Sequence, residues 1–142
     1  MNKNETKMNN TDRNGNILVS YEVAELLKLC DFNLYVYNFY NSNGLLCEAG
    51  GSAYDWNSET GDYQDTSAPS QSLAQKWLRE VKGVDICVYH NYLGLGSFTT
   101  GYHVQYVVKG DIHIFWDGYN GYEHALEAGL KECLTKLYNG EI

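Results

Sequence analysis

The segment Ser67–Tyr89 constrains the fold more than any other part of the chain, because it predicts a helix and the strand that follows it without a gap. Ser67 and Ser70 are both candidate N-caps, and Gly83 stands where a C-cap glycine is expected. Between the caps, apolar residues recur at helical spacing and polar residues lie off that stripe. The stripe consists of Leu73, Trp77, Leu78 and Val81. The requirements of folding account for this arrangement of residues, and no catalytic role is needed to explain it.

Short strands are predicted on both sides of this helix. Residues 34–40 are β-branched and aromatic, as strands prefer, and the turn Asn43–Gly44 leads to a second strand at 45–47. Residues 48–65 are predicted to form a long loop or an irregular hairpin. After the helix, the buried face of a third strand is predicted from Val84, Ile86 and Val88.

A hairpin is predicted near the end of the chain, from strands at 102–108 and 112–116. A three-residue loop, Lys109–Asp111, places the alternating apolar residues of both strands on one face of the sheet. A two-residue loop would place them on opposite faces, so the hydrophobic pattern favours the longer loop. The shared face would then carry Tyr102, Val104, Tyr106, Val108, Ile112, Ile114 and Trp116.

Two further amphipathic helices flank these strands. One follows Ser20, a candidate N-cap, and its apolar residues on one face are Val23, Leu26, Leu27 and Cys30. The other ends at Asn139–Gly140, and its apolar stripe is formed by Leu126, Leu130, Cys133, Leu134 and Leu137. Its outer side is predicted to carry two i,i+4 ion pairs, Glu127 with Lys131 and Glu132 with Lys136.

Strands in runs, rather than in strict alternation with helices, are typical of an α+β fold. The sequence therefore predicts a mostly antiparallel sheet of about five strands with three helices packed on one face. Residues 1–16 are polar and rich in Asn, and we expect a disordered N-terminal tail. Residues 17–142 are predicted to form a single α+β domain, since no linker or repeat divides them.

The net charge of −8 argues against nucleic-acid binding, because phosphate recognition needs clustered Lys and Arg. It leaves open a basic partner protein, or the imitation of DNA by an acidic protein. Neither a secretory signal nor a membrane-spanning run is found, which predicts a cytoplasmic chain with no membrane partner. The four cysteines lie far apart, so free thiols in or near the core are predicted at Cys30, Cys47, Cys87 and Cys133.

The histidines and cysteines form no familiar catalytic or metal-binding pattern. His103 and His113 would both lie on the polar side of the predicted hairpin, too far apart to share a metal ion. Cys87 and His90 would face opposite sides of their strand, which argues against a Cys–His nucleophile there. Cys133 lies within an apolar stripe and is predicted to be a core residue.

The acidic loop after Asp55 matches a calcium-binding loop only in part, with Asp55, Asn57 and Glu59 at alternating ligand positions. Gly61 comes one position late, and Thr66 replaces the bidentate glutamate that an EF-hand requires. Weak cation binding at this loop stays an alternative. The glycines at 50–51 and 94–96 lack the spacing of a dinucleotide-binding loop or a P-loop. We therefore predict no catalytic residue, no metal site and no cofactor.

An aromatic surface remains as the candidate binding site. The chain has 13 tyrosines, and tyrosine joins an apolar ring to a polar hydroxyl, as contact surfaces require. Both sides of the strand at 34–40 are apolar, so one side would face the helices and the other a partner subunit or a ligand. The alternative is a large sheet core with tyrosines at its rim. The candidate residues are Tyr35, Tyr37, Phe39, Tyr54, Trp56 and Tyr63.

Three segments carry a resemblance to a known group of proteins: "SAPSQSLAQKWLREVKGVDICV" from Ser67, "YEHALEAGLKECL" from Tyr122, and "LVSYEVAELLKLCDF" from Leu18. They are similar to a family of small uncharacterised proteins encoded by phages and conjugative elements of gut anaerobic bacteria. The matching residues are helix caps and apolar stripes, and the family carries no assigned activity. The resemblance implies a mobile-element accessory protein of the bacterial cytoplasm, and it transfers no catalytic residue.

These observations predict a non-enzymatic binding protein that uses its aromatic and acidic surface to hold a host protein or a small molecule, with counter-defence as a setting. One alternative is a small hydrolase or transferase whose site brings together His90, His103 and Asp117. Another is a structural accessory protein that forms a homo-oligomer through the aromatic strand at 34–40.

Overall fold

The computed structural model of the chain describes residues 10–58, 64–91, 101–115 and 118–142. Helices and antiparallel strands form an α+β fold, as predicted. One strand, β3, lies directly after the segment predicted to be a loop. The elements are α1 (Tyr21–Leu29), β1 (Asn38–Tyr40), β2 (Leu46–Glu48), β3 (Thr66–Ser67), α2 (Gln71–Trp77) with a π-helical turn (Leu78–Lys82), β4 (Val84–Asn91), β5 (Gly101–Val108), β6 (Asp111–Ile114) and α3 (Tyr122–Tyr138).

The described strands form two three-stranded antiparallel sheets, in the orders β2-β1-β3 and β4-β5-β6. The predicted single sheet of about five strands is therefore not confirmed. β1 lies between β2 and β3 and pairs with both, so it has no free edge for a strand of the second sheet. An isolated bridge between Val36 and Tyr54 extends the first sheet before β1.

The helix ends lie where capping residues predict them. The Ser20 side chain caps α1 by accepting a hydrogen bond from a main-chain N–H of the first turn at 3.2 Å. Of the two candidates for α2, Ser70 is the cap and accepts from the N–H of Leu73 at 3.1 Å, whereas Ser67 belongs to β3. Gly83 stops the π-helical turn at a φ of 68°, a left-handed conformation that glycine adopts without strain.

The end of this second helix departs from α-helical periodicity. In the π-helical turn Leu78–Lys82, each hydrogen bond spans one residue more than in an α-helix. The wider turn rotates Val81 away from the core, and its side chain is 60% exposed. The prediction that Val81 belongs to the buried stripe is therefore wrong. Trp77 and Leu78 are buried as predicted, and Leu73 is half-buried.

The β5–β6 hairpin has a two-residue turn, so the predicted three-residue loop is wrong. Lys109 and Gly110 have φ values of 52° and 83°, and positive φ at both positions is what a type I′ turn requires. The twist of this turn matches that of the strands, and this local preference outweighs the burial of two isoleucines. Ile112 and Ile114 consequently face away from the buried side and are 62% and 37% exposed. Trp116 lies outside the described residues.

The core lies between the helices and the inner face of the second sheet. Helix α3 packs on β4 and β5, and α1 packs on α3. Gly129 allows this close approach, because a Cβ there would lie 2.8 Å from Cγ1 of Val104 and 3.2 Å from Cγ2 of Ile86. The fully buried apolar side chains include Val23, Leu27, Leu78, Val84, Leu130, Cys133 and Leu134.

Glu127 of α3 joins the starts of the other two helices. Its carboxylate accepts hydrogen bonds from the N–H of the α1 N-cap residue at 2.8 Å and from the Gln71 side-chain amide at 2.9 Å. The predicted outer pair of Glu127 with Lys131 is therefore wrong, and Lys131 lies instead 3.0 Å from a carboxylate of α1. The second predicted pair is present, with Glu132 and Lys136 3.9 Å apart.

All four cysteines are free thiols, as predicted, but the prediction that all lie in or near the core is wrong for Cys87, which lies on the outer face of β4. Cys30 and Cys133 are buried in the core, Cys47 is half-buried and Cys87 is exposed. Burial raises the pKa of the Cys133 thiol to about 12, and burial also raises the pKa of Cys30. The two core thiols therefore stay protonated in the folded chain well above neutral pH.

We expect the free energy of unfolding to fall as the pH rises above the ordinary thiol pKa of 9.0. Above pH 9.0 the thiols of the unfolded chain ionise, whereas the folded chain keeps Cys133 protonated. The free energy of unfolding should therefore fall by about 1.4 kcal/mol at most for each pH unit until the pH reaches about 12. Urea unfolding across this pH window measures the slope. Cys133→Ala is the control and should flatten it. An unchanged slope in that variant would contradict the assignment.

Candidate functional site

Three of the predicted aromatic residues form a cluster beside β1. The ring of Phe39 stacks on Trp56 with centroids 4.1 Å apart, and Tyr54 meets Trp56 edge-on at 5.2 Å. Phe39 and Trp56 are half-buried, whereas Tyr54 is 54% exposed. The cluster therefore presents aromatic area to the surface on a packed base.

Two further predicted residues, Tyr35 and Tyr37, lie just before Phe39 in the chain. They alternate with buried residues and are 71% and 47% exposed. The Arg13 guanidinium lies over the Tyr37 ring, 5.1 Å from its centroid, and pairs with the Glu48 carboxylate. Together these aromatic residues form what we name the aromatic patch: Tyr35, Tyr37, Phe39, Tyr54 and Trp56.

Hydrogen bonds hold the loop that carries Tyr54 and Trp56, two of the five residues of this patch. Val36 and Tyr54 exchange main-chain hydrogen bonds at 2.9 and 3.0 Å, and the Trp56 indole N–H donates to the Val36 carbonyl at 2.8 Å. The Asn57 side chain donates to a carbonyl after α1 at 3.0 Å and accepts the Ser67 N–H at 2.9 Å. This part of the patch is therefore held in place before any partner arrives, which lowers the entropy cost of ordering it on binding.

A groove of about 200 Å³ opens beside the aromatic patch. Three segments line it, 12–14, 35–38 and 68–70, and Leu18 and Leu73 add apolar lining. Its volume is below the roughly 300–1,000 Å³ of pockets that enclose small-molecule ligands. The groove is of a size to take one side chain of a larger partner.

The wall of this groove carries the Asp12 carboxylate next to the Arg13 guanidinium, which is itself paired with Glu48. The Asp12 carboxylate accepts the main-chain N–H groups of Asn14 and Asn16 at 2.8 and 2.9 Å, and the side-chain amide of Asn16 at 3.0 Å. Burial opposes ionisation of Asp12, but the hydrogen bonds from Asn16 and Asn14 outweigh it and lower the pKa of the carboxyl group. Asp12 is therefore an anion at neutral pH.

The turn that carries Asp12 belongs to the segment predicted to be a disordered tail. Thr11 pairs with Ile17 in an antiparallel bridge. The Asn10 side chain donates to the Tyr40 hydroxyl at 2.7 Å, which attaches the turn to β1. Residues 1–9 lie outside the described residues.

Most of the predicted site residues lie within the described part of the chain, and Tyr63 lies outside it. The structure brings Phe39, Tyr54 and Trp56 into contact and places Tyr35 and Tyr37 at the neighbouring groove. Sequence reasoning missed Asp12 and Arg13. The local signal for the turn is the run "TDRNGN", because Asp, Asn and Gly favour Asx turns.

The described residues do not assemble the alternative site of His90, His103 and Asp117. His90 pairs with Tyr102 across the strands, and His103 pairs with Tyr89. These are neighbouring positions, so the two imidazoles face opposite sides of the sheet. Asp117 lies outside the described residues.

The other histidine prediction changes with the hairpin register. His113 lies on the inner face, stacked on Tyr106 at 4.7 Å, whereas His103 is fully buried on the other face. The prediction that both lie on the polar side is wrong, because the two-residue turn reverses the faces of β6. Cys87 and His90 face opposite sides of β4, as predicted.

Among the residues that the structure describes, no group of three or more His, Cys, Asp or Glu side chains is arranged to hold a metal ion. In the loop considered as a calcium site, Asp55 uses its side-chain oxygen to accept the Asn57 N–H at 3.1 Å. Glu59 and Gly61 lie outside the described residues. Weak cation binding at this loop stays a prediction.

No family model, curated protein or solved structure matches this chain. Across the described ranges, no helix is both long enough and apolar enough to cross a membrane.

Proposed function

We propose that the chain is a non-enzymatic binding protein that holds a basic segment of a partner protein on the aromatic patch. The observation that carries the proposal is the groove beside Tyr35 and Tyr37 with the ionised Asp12 in its wall. A lysine or arginine side chain entering this groove meets a carboxylate and can lie against aromatic faces. Because Arg13 already lies over the Tyr37 ring, the exposed Tyr35 ring is the aromatic face that we expect the partner's side chain to meet.

A protein partner fits these features better than a small molecule. The groove has a volume of only about 200 Å³. The exposed rings of Tyr35, in its wall, and Tyr54, outside it, offer further contact area. Interfaces between proteins are enriched in such aromatic residues, with one or two anchors in pockets. The net charge of −8 favours the approach of a basic segment over long range.

The biological setting forms part of the proposal. The resemblance of the helical segments supports an accessory protein of a phage or mobile element that acts in the bacterial cytoplasm. A host protein is then the expected partner, and blocking a host defence is the expected effect. Nucleic acid is not expected, because the acidic chain offers few basic residues for phosphates.

Selection from a random peptide library on the immobilised chain tests the proposal. We expect enriched peptides to combine Lys or Arg with apolar residues. The double variant Tyr35→Ala, Tyr37→Ala should bind them at least about 30-fold more weakly, since anchor residues contribute about 2 kcal/mol or more. The measurement is a dissociation constant from calorimetry for the best peptide.

Tyr138→Ala is the matched control, because Tyr138 is 58% exposed near the end of α3 and belongs to neither the patch nor the groove. Its affinity for the selected peptide should equal that of the unchanged chain. Acidic peptides as the main product of selection, or equal binding by the double variant, would refute the proposal.

A further inference from the structure

The edges of the two sheets are not equally available for pairing with another strand. In the first sheet β1 is central, so the aromatic strand cannot add a strand through its main chain. In the second sheet β4 is one edge, and the Gln75 side chain of α2 covers its middle by donating to the Ile86 carbonyl at 2.8 Å. Within the described residues, the strand order ends at β6 on the other side.

The hairpin register shows which main-chain groups of β6 face outward. The turn Lys109–Gly110 and the hydrogen bond from Phe115 N–H to the Val104 carbonyl, at 2.9 Å, fix the alternation along β6. Residues 111, 113 and 115 direct their N–H and C=O groups to β5. Ile112 and Ile114 therefore direct theirs away from the sheet.

The side chains of β6 alternate in the same way. Ile112 and Ile114 lie on the outer face and are 62% and 37% exposed, which is unusual for an edge strand in a monomer. Asp111 and His113 lie on the inner face, so an acidic and a basic side chain stand two residues apart. This strand is complementary to an antiparallel copy of itself.

We propose that two copies of the chain associate by antiparallel pairing of their β6 strands about a twofold axis at Ile112. In this register Ile112 faces Ile112 of the second copy in a hydrogen-bonded pair, and Asp111 faces His113 twice in non-hydrogen-bonded pairs. Each pair joins residues of the same sheet face, and the two sheets become one of six strands. The inference is independent of the function proposed for the aromatic patch.

The side chains of β6 and the small area of its edge both indicate which strand can pair with it. A strongly acidic strand would leave Asp111 opposite a like charge, whereas a second copy places the Asp111 carboxylate opposite an imidazole that can donate a hydrogen bond to it. The edge is only four residues long, so the contact buries less than the roughly 1,200 Å² of a stable interface. The dimer is therefore weak and depends on concentration.

Sedimentation equilibrium of the unchanged chain tests the association. Between about 10 µM and about 1 mM, the mass should rise from 16.1 kDa toward twice that value. Ile112→Lys places two ammonium groups opposite each other and should keep the chain monomeric throughout. Val81→Lys, which replaces an apolar residue exposed to 60% away from this edge, should behave as the unchanged chain.

Mixing two variants tests the twofold register. Ile112→Lys and Ile112→Glu should each be monomeric, and an equimolar mixture should regain the dimer, because the new charges face each other across the axis. Circular dichroism confirms that each variant is folded. A monomer at every concentration of the unchanged chain, or a mixture that stays monomeric, would overturn the proposal.

Discussion

Replacing Trp77 by alanine should lower the free energy of unfolding by about 3–5 kcal/mol. The Trp77 side chain is 2% exposed and meets the Phe32 ring edge-on, with centroids 5.3 Å apart. Among the residues that the structure describes it is the largest fully buried side chain, so its removal leaves a cavity that the neighbouring residues cannot fill without moving helices. Urea unfolding followed by circular dichroism measures the loss.

Trp77→Phe is the matched control for this prediction. It keeps an aromatic ring and removes the indole N–H, which has no hydrogen-bond acceptor among the described residues. Removing a buried donor without a partner offsets part of the lost packing, so the cost should be less than about half of that for alanine. Equal losses for both variants would contradict the packing explanation.

Replacing Gly129 by leucine should destabilise the fold by about 3 kcal/mol or more. Even a single added carbon would lie 2.8 Å from Val104 and 3.2 Å from Ile86, so α3 would have to move away from the sheet. Gly129→Ala should also destabilise, by about 1–3 kcal/mol, although alanine favours a helix over glycine by about 1 kcal/mol. Chemical unfolding of both variants gives these values.

A double-mutant cycle separates the clash from other effects at Gly129. Val104→Ala removes the methyl groups that the new carbon would meet. In that background Gly129→Ala should cost less than in the unchanged chain, and the helix preference of alanine should make it neutral or stabilising. Simple additivity of the two changes would show that the close approach of α3 to β5 does not set the stability.

The helix ends were predictable because capping is local. Ser20, Ser70 and Gly83 act on main-chain groups within one turn, and the sequence window that contains them contains the whole interaction. Which of Ser67 and Ser70 caps α2 was not predictable, because Ser67 pairs in β3 with Phe39, a residue distant in the sequence.

Two predictions, the loop length of the β5–β6 hairpin and the burial of Val81, were wrong because a local backbone geometry overrode the hydrophobic pattern. The apolar alternation of β6 predicted a three-residue loop, but positive φ values at Lys109 and Gly110 produced a type I′ turn without the Asn or Asp that usually marks it. Similarly, one π-helical turn removed Val81 from the buried stripe. Neither the type I′ turn nor the π-helical turn can be recognised from the hydrophobic periodicity of the sequence.

The site was predictable in its residue types and not in its arrangement. An excess of tyrosine indicated a contact surface, and Tyr35 and Tyr37 are exposed. The groove depends on Asp12 and Arg13, whose partner Glu48 lies 35 residues away. A single sequence contains no signal for a pairing at that distance.

The groove beside the aromatic patch should recognise a basic side chain. NMR titration of the isotope-labelled chain with N-acetyl-arginine methylamide measures this recognition, with the corresponding glutamate derivative as the charge-reversed probe. We expect the arginine probe to shift the amides of residues 12–14 and 35–38, and the glutamate probe to leave them unchanged. Equal shifts from both probes, or arginine-induced shifts confined to residues outside these segments, would contradict the claim.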